Sequence, residues 1–299
     1  MAVSGQQVDA GHAPDPDVAF LPYPNPLRPF AGDIESTVDA VLESARTHMA
    51  GGTIACVIVE PILSDGGLVV PPAGFLAALH ALCQKFDVPL ICDEVKVGLG
   101  RTGALHAFAV DGIEPDIVTF GKVLGGGLPL SAAVGPAAIL DHPAGSALLT
   151  TAGNPICTAV GRAVLHTIVS EDLPARAGAA GARFRTGLGR IAAGNGVDAG
   201  RSAERIGDVR GRGLTIGLEL VGDREGLAPD PHLTQRVVYR AWQLGAVVYY
   251  VGGNVLEITP PLIITDDEID RSVDILDRAI SDAIAGLVTD EEVKPYVGW

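Results

Sequence analysis

Beyond residue 32 the chain alternates short β-branched runs with stretches whose apolar residues recur every third or fourth position. Residues 1–32, rich in Pro, Gly and Asp, keep no period and read as irregular chain wrapping over something else. The run TIACVIVE (53–60) is almost wholly apolar, which predicts a strand buried on both faces. After Pro71 and Pro72, the residues Phe75, Leu76, Leu79, Leu82, Cys83 and Phe86 hold helical spacing. VPLIC (88–92) and DIVTF (116–120) are the next strands. Strand, helix, strand at this spacing predicts right-handed crossovers and a parallel sheet.

After residue 156 the texture changes. A long helix of Ala, Val and Leu leads into Arg-rich and Gly-rich segments. GRGLTIGLELV (211–221) alternates like a strand with one solvent face, and AVVYY and VLEIT read as its partners. Thr265 and Glu268 form a capping box ahead of a helix carrying Ile269, Val273, Leu276 and Ile280. Two domains are therefore expected, 1–156 with the parallel sheet and 157–299 as an interdomain helix and a smaller α+β unit. There is no internal repeat or low-complexity tract.

The composition supports a globular chain. Its 299 residues suffice for a full core and two domains, 47% are hydrophobic, and the mean hydropathy is +0.32. A net charge of -15 and a pI near 4.7 argue against nucleic acid or an anionic membrane as partner and point to a small-molecule role. Cys56, Cys83, Cys92 and Cys157 form no CxxC pair, so they suggest neither a zinc site nor a disulfide framework, but buried thiols in a reducing cytoplasm. No signal-like apolar region opens the chain, and no run of 18 apolar residues predicts a membrane span.

One feature of the charge is chemical. Of the 21 Lys and Arg residues only four are Lys: Lys85, Lys96, Lys122 and Lys294. Arginine stays protonated, whereas a lysine that loses its proton attacks a carbonyl. Lys122 stands between the DIVTF strand and the glycines at 125–127, 29 residues after Asp93 at the end of VPLIC. Consecutive parallel strands end on one side, so Asp93 and Lys122 are expected at the carboxyl edge, where open α/β sheets bind ligands. A carboxylate and an amine in one pocket suit pyridoxal phosphate, the amine holding the aldehyde and the acid keeping the pyridine nitrogen protonated. The same residues also fit a lysine turned to water, or an ion pair tying two strand ends together. A P-loop does not fit, because Lys122 precedes the glycines and is followed by Val123.

Four ordered motifs, VIVEPILSDGGLVVPP, ICDEVKVGLGRTG, PDIVTFGKVLGGGLPLSAAVG and TTAGNP, resemble the class III aminotransferase family of fold-type I pyridoxal phosphate enzymes, over about residues 19 to 285. The resemblance implies a large domain with a mainly parallel sheet, a smaller C-terminal α+β domain, and a homodimer with sites at the interface. It implies Lys122 as the Schiff-base lysine and Asp93 as the partner of the pyridine nitrogen. Val95 is similar to the apolar residue under the ring, and Thr150 to the threonine that reaches the phosphate of the neighbouring subunit. The implied reaction moves an amino group between an amino acid or amine and a 2-oxo acid. Racemisation or epimerisation within the same family is the alternative.

Three departures from the family pattern stand out. The sequence begins at a strand-like MAVSGQ, without the family's upstream phosphate loop and stacking aromatic. That implies a truncated large domain, weakened cofactor binding and exposed apolar sheet surface, and it admits a fragment or half of a split enzyme. Glu257 stands where many members carry an arginine that clamps a substrate carboxylate and pairs with the glutamate matching Glu60. Glu257 is thus expected either in the pocket, where it favours an amino group or is protonated by repulsion from Glu60, or on a solvent face. Lys96 replaces a common glutamine that contacts the ring hydroxyl, and adds a second amine that must be excluded as the Schiff-base site.

Overall fold

The computed structural model describes residues 15–141, 149–196 and 201–296. The MAVSGQ segment lies outside them. The first sheet orders its strands β1 (Val57–Val59), β2 (Leu90–Asp93), β3 (Ile117–Phe120) and β4 (Ala132–Val134). The first three run parallel, with Val59 opposite Cys92 and Asp93 opposite Thr119, as expected. β4 adds antiparallel to β3, a pairing not foreseen in the sequence. Helix α1 (Ile34–Ala50), N-capped by Asp33, and α2 (Phe75–Phe86) pack together over β1 and β2. The α2 apolar set falls as expected, with Phe75, Leu76, Leu79 and Cys83 buried.

The TIACVIVE expectation is corrected on two counts. Only three residues form β1, and Ile58 is exposed rather than buried, because nothing among the described residues covers that face of β1. Between β2 and β3 the chain forms a 3-10 turn, Ala107–Asp111, instead of an α-helix. The thiols also divide: Cys83 and Cys92 are buried, whereas Cys56 is exposed and Cys157 half-buried.

After α3 (Ala137–Leu140), helices α4 (Pro155–Ser170) and α5 (Leu173–Ala192) lead to a second, antiparallel sheet. Asn154 caps α4 through Ile156 N–H at 2.9 Å, and Pro155 takes the first turn, where its missing N–H is harmless. The sheet is β5 (Ile206–Arg212), β6 (Thr215–Leu220), β8 (Val255–Ile258) and β7 (Tyr249–Val251) in that order. GRGLTIGLELV is therefore a hairpin corner followed by a strand. All of β6 is buried, so the expected solvent face is absent, because the loop after β1 covers the side that α5 and α6 (Pro231–Gln243) do not: Arg210 Nε donates to the Leu68 carbonyl, and Leu68 packs beside Gly217. AVVYY and VLEIT supply β7 and β8, as expected. α7 (Asp266–Ile284) starts at the Thr265–Glu268 capping box and buries Ile269, Val273, Leu276 and Ile280; the short α8 (Asp290–Val293) follows.

The described part of the irregular start does wrap over both sheets. Tyr23 donates its hydroxyl to the Glu60 carbonyl at 2.9 Å, and Arg28 pairs with the buried Glu219 of β6.

Candidate active site

The carboxyl ends of β1, β2 and β3 bring Glu60, Asp93 and Lys122 to one sheet edge. The register carries this: Val59 faces Cys92 and Asp93 faces Thr119, so Glu60 leaves the sheet beside Asp93, and Lys122 three residues past Thr119. Asp93 Oδ1 accepts from Val95 N–H at 3.0 Å and from the Thr119 hydroxyl at 3.1 Å. Two donors on one oxygen fix the carboxylate and leave Oδ2 without a protein donor among the described residues. Thr119 was not singled out in the sequence. Its signal was a hydroxyl in the DIVTF strand, in register with an acid.

Lys122 opens a 3-10 turn, Lys122–Gly125, and is exposed. Among the described residues it has no ion-pair partner, so the Asp93–Lys122 strut that spacing also allowed does not form. Its φ is +45°, in the left-handed region that disfavours a residue with a Cβ by about 1–2 kcal/mol. Strain of this kind persists where the surroundings impose it, and it clusters at functional sites. Gly121, just before it, leaves room for Val95: a Cβ there would lie 3.2 Å from Val95 Cγ1. Val95 is thus the apolar wall between the Asp93 loop and the Lys122 turn.

Glu60 accepts from Ser64 N–H at 3.1 Å. Burial pushes its carboxyl upward, the Ser64 hydrogen bonds pull it down, and Asp93 and Asp65 raise it again, for a net rise. Glu257 was expected to meet repulsion from Glu60; the acids that repel Glu60 are instead these two aspartates, and Glu257 lies against Lys96. Glu257, in the central strand β8, is buried and does not face solvent. Its Oε1 lies 2.9 Å from Lys96 Nζ in an ion pair that is not aligned as a hydrogen bond. Lys96 also donates to Asp65. Burial lowers the Lys96 pKa, but Asp65 and Glu257 outweigh it and hold the amine above its ordinary value. The two unusual residues thus answer each other, and Asp65, which nothing in the sequence marked, joins them.

Glu94, next to Asp93, is fully buried and accepts from Phe108 N–H at 2.9 Å. Its Oε2 and the Nδ1 of His106 are both buried without hydrogen bonds, 3.9 Å apart. Burial pushes the Glu94 carboxyl up and the His106 imidazole down, which favours the neutral form of each. Thr150 is exposed in the turn before α4, flanked by the exposed Leu149. No cluster of His, Cys, Asp and Glu suited to a metal occurs among the described residues.

The residues present fit the ring half of pyridoxal phosphate: an oriented carboxylate with a free oxygen, an unpaired lysine and an apolar wall.

Comparison with known proteins gives the family and the fold. The chain belongs to the family described as aminotransferase class-III, which matches residues 1–280. It is similar to a leucine/methionine racemase of Thermococcus litoralis, 39% identical over 95% of this chain and 63% of that protein. It is also similar to a 4-aminobutyrate aminotransferase of Mycobacterium leprae, 38% identical over 89% of this chain and 60% of that protein. A solved transaminase from work on ancestral reconstruction superposes with a TM-score of 0.83 at 29% identity, covering 95% of this chain and 63% of its own. The chain thus spans about three-fifths of the length of these relatives. The fold is α/β, that of pyridoxal phosphate-dependent transaminases.

Proposed function

We propose that the protein is a pyridoxal phosphate-dependent aminotransferase moving an amino group from an amino acid or amine to a 2-oxo acid. The observation that carries this reading is the pairing of a doubly oriented Asp93 with a strained Lys122 that has no ion-pair partner among the described residues, on adjacent strand ends. When bound, the cofactor would supply an electron sink for the α-carbon. Asp93 would hold the protonated ring nitrogen through Oδ2, its orientation set by Val95 and Thr119. Val95 would pack under the ring. Lys122 would hold the aldehyde carbon through Nζ and, displaced by the substrate amine, would take the α-proton and return it as general acid. Lys96 would approach the ring hydroxyl, and Glu60 and Glu257 would line the substrate side.

Thr150 supports a homodimer in which its hydroxyl reaches the partner's phosphate. Exposed Leu149 and Ile156 around it suit burial in such an interface. The free thiols suit a reducing cytoplasm, and among the described residues no helix is long and apolar enough to cross a membrane. We divide the chain at residue 156, inside the first turn of α4, between the unit holding the parallel sheet and the unit holding the antiparallel one.

Racemisation of an amino acid is the second reading. It is favoured by the likeness to the leucine/methionine racemase and by Glu257, which offers no cation to a second substrate carboxylate. The test follows amino acids by chiral chromatography with and without a 2-oxo acid. The proposal expects a new amino acid only when the 2-oxo acid is present, and Asp93→Asn to slow it by on the order of a hundredfold. D-isomer formed without a 2-oxo acid would replace it with the second reading; neither product would overturn both.

A further inference from the structure

Two amines share the sheet edge. Lys96 directly follows Val95, whose side chain abuts Gly121, the neighbour of Lys122. A site that handles carbonyl compounds has to choose between them, because imine formation at the wrong lysine would block it. The two are set up differently. Lys96 Nζ is the hydrogen-bond donor to Asp65, in the loop after β1, and the ion-pair partner of Glu257 at 2.9 Å, in β8. Its side chain is 18% exposed, that of Glu257 only 7%. Lys122 is exposed and has no ion-pair partner among the described residues.

We infer that Asp65 and Glu257 select the reacting amine, by fixing Lys96 as a permanent ammonium and leaving Lys122 as the nucleophile of the site. The chemistry requires the distinction. The amine lone pair forms the new C–N bond to the aldehyde carbon, and the carbonyl oxygen leaves as water, taking its two protons from the nitrogen and the medium. An ammonium has no lone pair. For Lys96 to react it must first give up a proton, which strips Asp65 and the buried Glu257 of their cation together; a buried carboxylate left unpaired is strongly disfavoured. No other described cation replaces it. Arg101 is close enough for its charge to sense Glu257, but it directs Nη1 to the carbonyls of Leu214 and Pro260, at 3.1 and 2.9 Å. Glu60, which senses Asp65 and Asp93, adds only negative charge. Lys96 is therefore a positioning residue. It ties the loop after Asp93 to β8 and stays out of covalent chemistry.

This inference rests on the proposed function only for the role of Lys122, and the experiment separates the two. The native chain, Asp65→Asn, and the double variant Asp65→Asn/Glu257→Gln are treated with formaldehyde and cyanoborohydride at about pH 8, and the methylation rate of each lysine is read by peptide mass spectrometry. A parallel sample receives pyridoxal phosphate and borohydride. In the native chain Lys96 should react more slowly than exposed Lys85 and Lys294. In the variants its rate should rise by about tenfold or more, the change in free-amine fraction that one pKa unit represents, while Lys85 and Lys294 stay constant. Asp65 is half exposed, so Asp65→Asn leaves the burial of Lys96 in place and separates pairing from shielding. Native Lys96 as reactive as Lys85, or a Lys96 rate unmoved in Asp65→Asn, overturns the inference. Pyridoxal phosphate label absent from Lys122, with the Lys96 rates moving as expected, leaves the fixing of Lys96 as an ammonium standing and removes both the role given to Lys122 and the proposed function.

Discussion

In the antiparallel sheet every residue of β6 and β8 is buried, and its acids are answered: Glu219 by Arg28 and Arg210, Glu257 by Lys96. In the parallel sheet β1 and β4 contain no buried residue, Ile58 and Val134 are exposed, and Asp93 keeps one oxygen without a protein donor among the described residues. Among the described residues both sheets have four strands, so strand number does not separate them. The difference lies in what covers them. Helices α5, α6 and α7 close the second core, whereas α1 and α2 close only part of the first. The saturated sheet holds the molecule together, and the open one has groups left over for chemistry.

The largest expected effect is in the saturated sheet's core. Phe184→Ala should lower unfolding stability by about 3–5 kcal/mol in a denaturant titration, because α5 buries this ring completely. Val134→Ala in the open sheet should change it by no more than about 0.5 kcal/mol. Equal losses would erase the contrast.

Next comes the seam between the sheets. Lys96→Met should cost about 3 kcal/mol by leaving Glu257 buried and unpaired, and Lys96→Met/Glu257→Leu should recover most of that loss. A double variant no better than the single would show that the pair is not what Lys96 supplies.

Glu94 gives a smaller effect that depends on pH. Its folded carboxyl titrates above the ordinary value of 4.5, so the folded chain keeps a proton that the unfolded chain has lost. Stability from this group is complete below the ordinary value and declines as pH rises through the raised one. Glu94→Gln keeps an acceptor for Phe108 N–H and provides a donor toward His106. It should raise the melting temperature by about 2 °C above neutral pH and lose that advantage in acid. A difference constant with pH would mean that Glu94 ionises normally.

The smallest effect is at Lys122. Lys122→Gly relieves the left-handed strain but adds unfolded-state entropy, so a net gain of about 0.5–1 kcal/mol is expected, with borohydride-trapped label lost from position 122. A residue that stabilises the fold when removed is held there by its chemistry.

The periodic elements were legible where local pattern decides structure. The α2 set, the Thr265 capping box and the strands around Asp93 follow from spacing and from capping chemistry within a few residues. The open face of β1 was not, because an apolar run records that a strand prefers burial and not whether cover is present. The placing of Asp93 and Lys122 was legible from strand order, and the roles implied for them came from the family resemblance. The Lys96–Glu257 pair was hidden, because each residue looked anomalous alone and their meeting depends on how the two sheets dock. The left-handed turn at Lys122 carried no sequence signal either, since a lysine is not the residue expected at positive φ.

The bonds from the loop after Asp93 into the second sheet also bear on synthesis. Lys96 needs Glu257; the Arg101 side chain needs the carbonyls of Leu214 and Pro260, and its own carbonyl accepts from Leu214 N–H at 2.9 Å. A chain made from its N-terminus has Asp93 and Lys122 clear of the ribosome long before any of these partners exists. During that interval the wall beside the reactive edge is unanchored, and Lys96 has Asp65 alone to hold its proton. Only as residue 260 emerges does the loop gain the last of these contacts, well over a hundred residues after Lys122 itself has been made.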